Sequence, residues 1–227
     1  MALRRVPLAP NEWFHCYTRG VDGRVTFEIQ RDYERFIESL YLCNSSLQVR
    51  RDNLKQTRGA DIFLHPRENT LVDIGAYCLM PNHFHILLRA RSEGGVARFM
   101  QKVGTAYTMY FNIKNKRVGG LFVTPFRSKH ITDDDYFKRV AQYIHLNPVE
   151  LFEPRWKLGS ETARRRLAVI EKKLKEYPYG SLPEYSGSKR PEMAVLDPDA
   201  FDLIRGGMPP LGSVLEEASL YYKELAS

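Results

Sequence analysis

The chain has 227 residues, 43% of them hydrophobic and 27% charged, which suits one soluble domain of ordinary size with an appendage, or two small ones. No apolar run approaches the roughly 20 residues of a membrane span, no signal-peptide stretch opens the chain, and Cys16, Cys43 and Cys78 lack metal-ligand spacing. A reduced, cytoplasmic protein with no membrane contact is therefore expected, and a net charge of +7 with a pI near 9.3 favours an anionic partner, nucleic acid being the commonest.

Residues 1–11 read as a loose basic lead-in. Trp13–Arg19 alternates as a strand, and Gly20-Val21-Asp22-Gly23 ends it. A helix begins at Asp32, with Phe36, Ile37, Leu40 and Tyr41 at helical spacing. The polar, basic stretch from Arg50 to Arg67 reads as a solvated loop in preference to a dedicated DNA contact. Two short strands follow, Ile74–Met80 and His83–Leu88, joined by the turn formers Pro81 and Asn82. After Ser92-Glu93-Gly94-Gly95 comes the clearest helix, to about Asn112, whose stripe of Val96, Phe99, Val103, Tyr107 and Phe111 marks a core face. Leu121–Ile131 reads as a fourth strand, restricted by Pro125 to an edge or a bulge.

Thr132 is the expected cap of the next helix, and Asp133, Asp134 and Asp135 suit its positive end. That helix runs to Asn147, where Pro148 disfavours continuation. Beyond Pro154 a charged helix, Glu161–Glu176, leads into Pro- and Tyr-rich segments. Short helices near Asp197–Arg205 and Ser213–Leu225 end the chain.

The order strand, helix, strand, strand, helix, strand, helix is the split βαβ pattern. The expected fold is α+β: a ferredoxin-like/RRM-like antiparallel four-stranded sheet with helices on one face, plus a mainly helical C-terminal extension. Residues 1–150 would form the domain and 151–227 the extension, a candidate for DNA contact.

Two constellations carry chemistry. Strand alternation turns His83 and His85 to the face opposite Phe84, Ile86 and Leu88, with their Cα atoms about 7 Å apart, close enough to bite one divalent metal. By themselves they read more readily as polar surface residues of a hairpin. On the helix before Pro148, Tyr143 lies at the rim of the apolar stripe, and Asn147 sits one turn further along the same side. Singly, these are a packing tyrosine and a helix-end cap. His145 falls on the far side from the stripe and reads as surface; His15 reads as packing near the site without ligating, and His65 and His130 as surface or loop. Arg19, Arg89, Arg98 and Lys102 are candidate phosphate contacts. No glycine-rich phosphate loop is present, and no cofactor-binding residues are assigned.

Within Met80-Pro81-Asn82-His83-Phe84-His85-Ile86-Leu87-Leu88, the two histidines resemble the His-hydrophobic-His motif of the single-tyrosine HUH transposases, the IS200-like family. Tyr143-Ile144-His145-Leu146-Asn147-Pro148-Val149 resembles the catalytic tyrosine helix of their REP-associated branch. His15-Cys16-Tyr17-Thr18-Arg19-Gly20 and Tyr177-Pro178-Tyr179-Gly180-Ser181, with Tyr185-Ser186-Gly187, match as well, in the family's order. The resemblance implies a metal-dependent transposase, or a domesticated relative, that cleaves and rejoins single-stranded, hairpin-forming DNA. It further implies Tyr143 as the nucleophile, a 5′-phosphotyrosine intermediate, and His83, His85 and Asn147 as ligands of Mg²⁺ or Mn²⁺. A monomer or homodimer associated with the nucleoid is the implied setting. Two departures stand out: Gly180 where a second small hydroxyl residue is usual, and a long loop from Arg50 to Asn69.

The chemistry is coherent without the family. A phenol of pKa about 10 is a weak nucleophile at neutral pH, and a divalent cation can polarise the target phosphate. The alternative is a single-stranded nucleic-acid-binding module of the same fold without strand chemistry; a metal-dependent hydrolytic nuclease is a third reading. A pure binder has no need of a tyrosine beside a metal.

Overall fold

The computed structural model describes residues 8–47, 54, 59–154, 156 and 166–226. Strands β1 (Trp13–Arg19), β2 (Val72–Met80), β3 (His83–Ala90) and β4 (Arg127–His130) form one antiparallel sheet in the order β2-β3-β1-β4. Helices α1 (Gln30–Cys43) and α2 (Gly95–Lys114) complete the split βαβ order on one face, so the expected α+β class and four-stranded antiparallel sheet are observed. Phe14, Cys16, Ile74, Tyr77, Leu79, Phe84, Ile86 and Leu88 bury one sheet face in a single cluster with Phe36, Leu40, Phe99, Val103 and Tyr107 of the two helices. Ile74 and Tyr77 are three residues apart and share that face only because β2 bulges between Ile74 and Ala76. Glycine serves a second purpose at the bulge: a Cβ at Gly75 would lie 3.0 Å from Ile204 and 3.2 Å from the Trp13 ring.

The other face is not open. Ala76, Cys78, Met80 and Leu87 pack there against Phe137, Val140, Ala141 and Ile144 of α3 (Asp134–Leu146). The sheet is therefore enclosed by α1 and α2 on one side and α3 on the other. Asp133, not Thr132, caps α3: its Oδ1 accepts the Tyr136 backbone N–H at 2.7 Å, while the Thr132 hydroxyl donates to Asp133. The fourth strand is shorter than its apolar pattern suggested, and Pro125 precedes it, where a missing N–H disturbs no ladder.

The C-terminal segment is joined to the sheet. Leu79 N–H donates to the Tyr179 carbonyl and Ser181 N–H to the Tyr77 carbonyl, both at 2.9 Å, so residues 179–181 lie along the outer edge of β2 through an antiparallel bridge of Gly180 with Cys78. The Tyr177 and Tyr185 hydroxyls donate to the Leu79 and Gly75 carbonyls, each at 2.6 Å, and Asp197 N–H donates to the Ile74 carbonyl at 3.0 Å. An edge that would otherwise present unpaired backbone groups is thus covered along its length. Val195, Leu196 and Phe201 enter the first core, and Ile204 the second. Val149, Ile170, Leu174, Leu182 and Leu215, from the helices Val149–Phe152, Leu167–Lys175, Leu182–Tyr185 and Leu211–Ala226, form a third cluster with Trp156. The expected start of the charged helix at Glu161, and much of the Arg50–Arg67 loop, lie outside the described residues. Among the described residues no helix is long and apolar enough to cross a membrane.

Candidate active site

The register of β1 on β3 sets Tyr17 opposite His85 and Arg19 opposite His83. Directly opposed residues share a face, so His15, Tyr17, His83 and His85 gather on the side covered by α3. His15 Nε2 and His85 Nδ1 are 2.9 Å apart, with the rings stacked at 5.0 Å. Tyr17 stacks on His85 at 5.5 Å, and His83 meets it edge-on at 5.1 Å. Across this cluster α3 holds Tyr143 edge-on to both buried imidazoles, 5.5 Å from His85 and 5.8 Å from His15 between ring centres. Tyr143 keeps 40% of its surface exposed, so a substrate as large as a nucleic acid can reach it.

Asn147 is buried at the C-terminal cap of α3, where its Nδ2 donates to the Tyr143 carbonyl at 2.8 Å. Its nitrogen is used within the helix, and the oxygen is the atom the amide can offer a ligand. Tyr143 and Asn147 also line a cleft of about 500 Å³ with Arg139, Gln142, Glu150 and Trp156, walled on one side by Val214, Glu217 and Ala218 of the last helix.

Burial sets the charge of His15. Burial, helped by the nearby Lys129 charge, pushes His15 down to about 4, so it is neutral at pH 7. In the tautomer pair where the neutral His15 accepts at Nε2 from His85 Nδ1–H, the lone pair of His85 lies on Nε2. His83 Nδ1 is 2.7 Å from Asn82 Oδ1, an atom that only accepts, so His83 is set in the same tautomer. Engaging one ring nitrogen within the protein so that the other faces a metal is the usual support of a metal-binding histidine. Among the described residues no three His, Cys, Asp or Glu side chains gather as ligands. An ion here would draw on two imidazoles and one amide.

His145 is not on the surface. It is buried, with its Nε2 2.9 Å from Ser181 Oγ and its ring 5.0 Å from Tyr185. The helical period did put it opposite the apolar stripe, but the C-terminal segment folds over that side. Burial pushes its pKa down to about 3. A histidine near 6.5 unfolded and about 3 folded contributes stability that is intact above pH 6.5 and lost as pH falls through that window, by up to about 5 kcal/mol. Denaturant unfolding at pH 7 and at pH 4 should show the acid loss, and His145→Gln should make the slope shallower. Equal stability of the parent chain at both pH values would contradict a buried neutral His145.

Of the four basic residues read as phosphate contacts, Arg19 alone lies exposed beside the imidazoles, opposite His83. Arg89 pairs with Asp73 at 2.7 Å and covers the Trp13 ring. Arg98 and Lys102 stand on α2, across the sheet, and donate to the backbone carbonyls of Ser45, Ser46 and Leu47. The alternation of β1 shows His15 and Tyr17 sharing a face, but their pairing with His85 needs the sheet order, and nothing in the sequence marks Ser181 as the partner of His145. Gly180 forms a bridge with Cys78, and a Cβ there would press on the Tyr77 carbonyl at 3.3 Å.

Residues 41–147, which hold His83, His85, Tyr143 and Asn147, match the model of a family described as IS200-like transposases. A solved structure described as a REP-associated tyrosine transposase bound to a REP hairpin is similar in fold: the TM-score is 0.53 at 12% identity, over 82% of this chain and 86% of that one. No curated protein sequence matches the chain.

Proposed function

Since residues 41–147 match the model of the IS200-like transposases, we propose that the protein is a tyrosine transposase, or a domesticated relative, that cuts and rejoins single-stranded, hairpin-forming DNA. The observation that carries this reading is the half-exposed Tyr143 ring held against the buried His85 and His15, on the sheet face that bears His83. A protein that only binds strands has no use for this arrangement. The hairpin preference draws on the structurally similar transposase, which is described with a REP hairpin bound.

In the proposed reaction Tyr143 Oη attacks the scissile phosphorus. The Oη–P bond forms as the bond from phosphorus to the 3′ oxygen breaks, the phenolic proton is released, and the products are a 5′-phosphotyrosine and a free 3′-OH. The phosphodiester energy is kept in the tyrosyl link, so rejoining by a 3′-OH needs no nucleotide cofactor. His83 and His85 through Nε2, and Asn147 through Oδ1, would hold a divalent ion, which supplies Lewis-acid polarisation of the phosphate. A mixed nitrogen and oxygen donor set suits Mn²⁺ and takes Mg²⁺ less tightly. His15 acts through His85, holding its ring by the Nε2–Nδ1 contact at 2.9 Å.

The test is incubation with Mn²⁺ and end-labelled single strands that carry a hairpin. A covalent protein–DNA band on a denaturing gel is expected. A free 5′-phosphate product without that band would replace the reading by a hydrolytic nuclease, and binding with no product would replace it by a binding module. The two histidines should separate in their effects. His83, only partly buried at the start of β3, can be changed to Ala with little loss of stability and at least a tenfold loss of Mn²⁺ affinity by calorimetry. His85→Ala orphans His15, and losing a partner for a buried polar group costs about 1–3 kcal/mol. Unchanged Mn²⁺ affinity in His83→Ala would move the ion elsewhere.

A further inference from the structure

We propose that Arg127 and Lys129 of β4, together with Arg19 of β1, form a phosphate-holding row that leads a single DNA strand along the sheet to Tyr143. This rests on the function proposed above and adds the residues that position its substrate. The register sets Arg127 opposite Tyr17 and Lys129 opposite His15, as Arg19 is opposite His83. All three cations therefore stand on the sheet face of the imidazoles. All three are exposed, and β4 is the outer strand on that side, so a polymer can lie along it. Lys129 Nζ lies 4.8 Å from the Tyr136 ring centre, which ties the row to the helix that carries Tyr143.

Several of the fold's other cations are already engaged within the protein. Arg89 and Arg91 are paired with Asp73, Arg91 also with Asp197, Lys114 with Asp32 and Glu28, and Arg190 with Glu184. Arg98 and Lys102 are held by backbone carbonyls on the far side of the sheet. Among the described residues no carboxylate pairs with Arg19, Arg127 or Lys129, so their charge is available to an outside anion. Arg127 and Lys129 are two strand residues apart, about 7 Å, which lets each take its own phosphate. The acidic run Asp133, Asp134 and Asp135 follows the other end of β4 and repels a phosphate chain there. The strand is thereby directed over the Arg127, Arg19 and His83 end of the face.

The experiment measures binding of a labelled hairpin-bearing single strand against salt concentration, for the parent chain and for Arg127→Ala/Lys129→Ala. Each phosphate contact to a single strand contributes about 0.7 to the slope of log K against log salt. Loss of two contacts should lower that slope by about 1.4, with affinities that differ at low salt and converge at high salt. The control pair Arg98→Ala/Lys102→Ala should keep the parent slope. Thermal melting shows that both variants fold, since all four side chains lie outside the cores. If the parent binds and forms the covalent adduct but the β4 variant keeps its slope, the row is wrong and the function stands. A parent chain that neither binds single strands nor forms an adduct overturns the function and the row together.

Discussion

Tyr143→Phe is expected to bind hairpin-bearing single strands and Mn²⁺ as the parent chain does, and to form no covalent adduct. The substitution removes one oxygen and keeps the ring, so the edge contacts to His85 and His15 at 5.5 and 5.8 Å persist. With 40% of the residue already exposed, the change in stability should stay within about 0.5 kcal/mol. The chemical effect is of another order. Removal of a nucleophile from an assembled site costs on the order of 10³-fold or more in rate, because nothing else can form the intermediate. The measurement is a denaturing gel of labelled strand after incubation with Mn²⁺, alongside a melting curve and a binding titration. Cutting at a comparable rate by the variant would assign the attack to a water molecule and discard the phosphotyrosine route. Loss of binding together with cutting would mean that the phenol holds DNA instead of attacking it.

How far the sequence reveals this site depends on which residues are local to one another. His83 and His85 are two apart on a strand, and Tyr143 and Asn147 four apart on a helix, so simple periods group each pair. The first strand and the α1 and α2 stripes were legible for the same reason. Bringing the two pairs together depends on α3 lying on the sheet face opposite α1 and α2, and no period reports which face a helix will choose. That placement also buries His85, which alternation alone left on an open surface. His145 was misread on similar grounds: its far side from the stripe is covered by residues some 36 positions later. The basic residues show the same limit. Arg98 and Lys102 look like any exposed helix cations until the Ser45–Leu47 carbonyls are seen to take their donors.

The C-terminal segment gives rise to the second large effect. Ser181 has no exposed surface, and its hydroxyl joins three elements. It accepts the Tyr77 N–H at 3.0 Å and lies 2.9 Å from His145 Nε2 and 3.3 Å from the Tyr77 carbonyl oxygen. One oxygen thus ties β2, the C-terminal segment and α3 together, two residues along the helix from Tyr143. Ser181→Ala deprives the buried Tyr77 N–H and His145 Nε2 of this partner, and each unsatisfied group costs about 1–3 kcal/mol, or about 2–6 kcal/mol together. His145 has no slack to absorb this, because its Nδ1 is already buried with no hydrogen-bond partner among the described residues. For a chain of this size such a loss lowers the melting temperature by roughly 5–20 °C. Because the broken link is at α3, the fraction that remains folded should also form the adduct more slowly at saturating DNA, where an even loss of stability would leave the rate unchanged. Calorimetric melting and single-turnover adduct formation well below the new melting temperature separate the two effects. A variant that melts within about 0.5 kcal/mol of the parent would show that the segment covers the sheet edge without holding α3. A destabilised variant with the parent rate would leave Ser181 a role in stability but none in placing Tyr143.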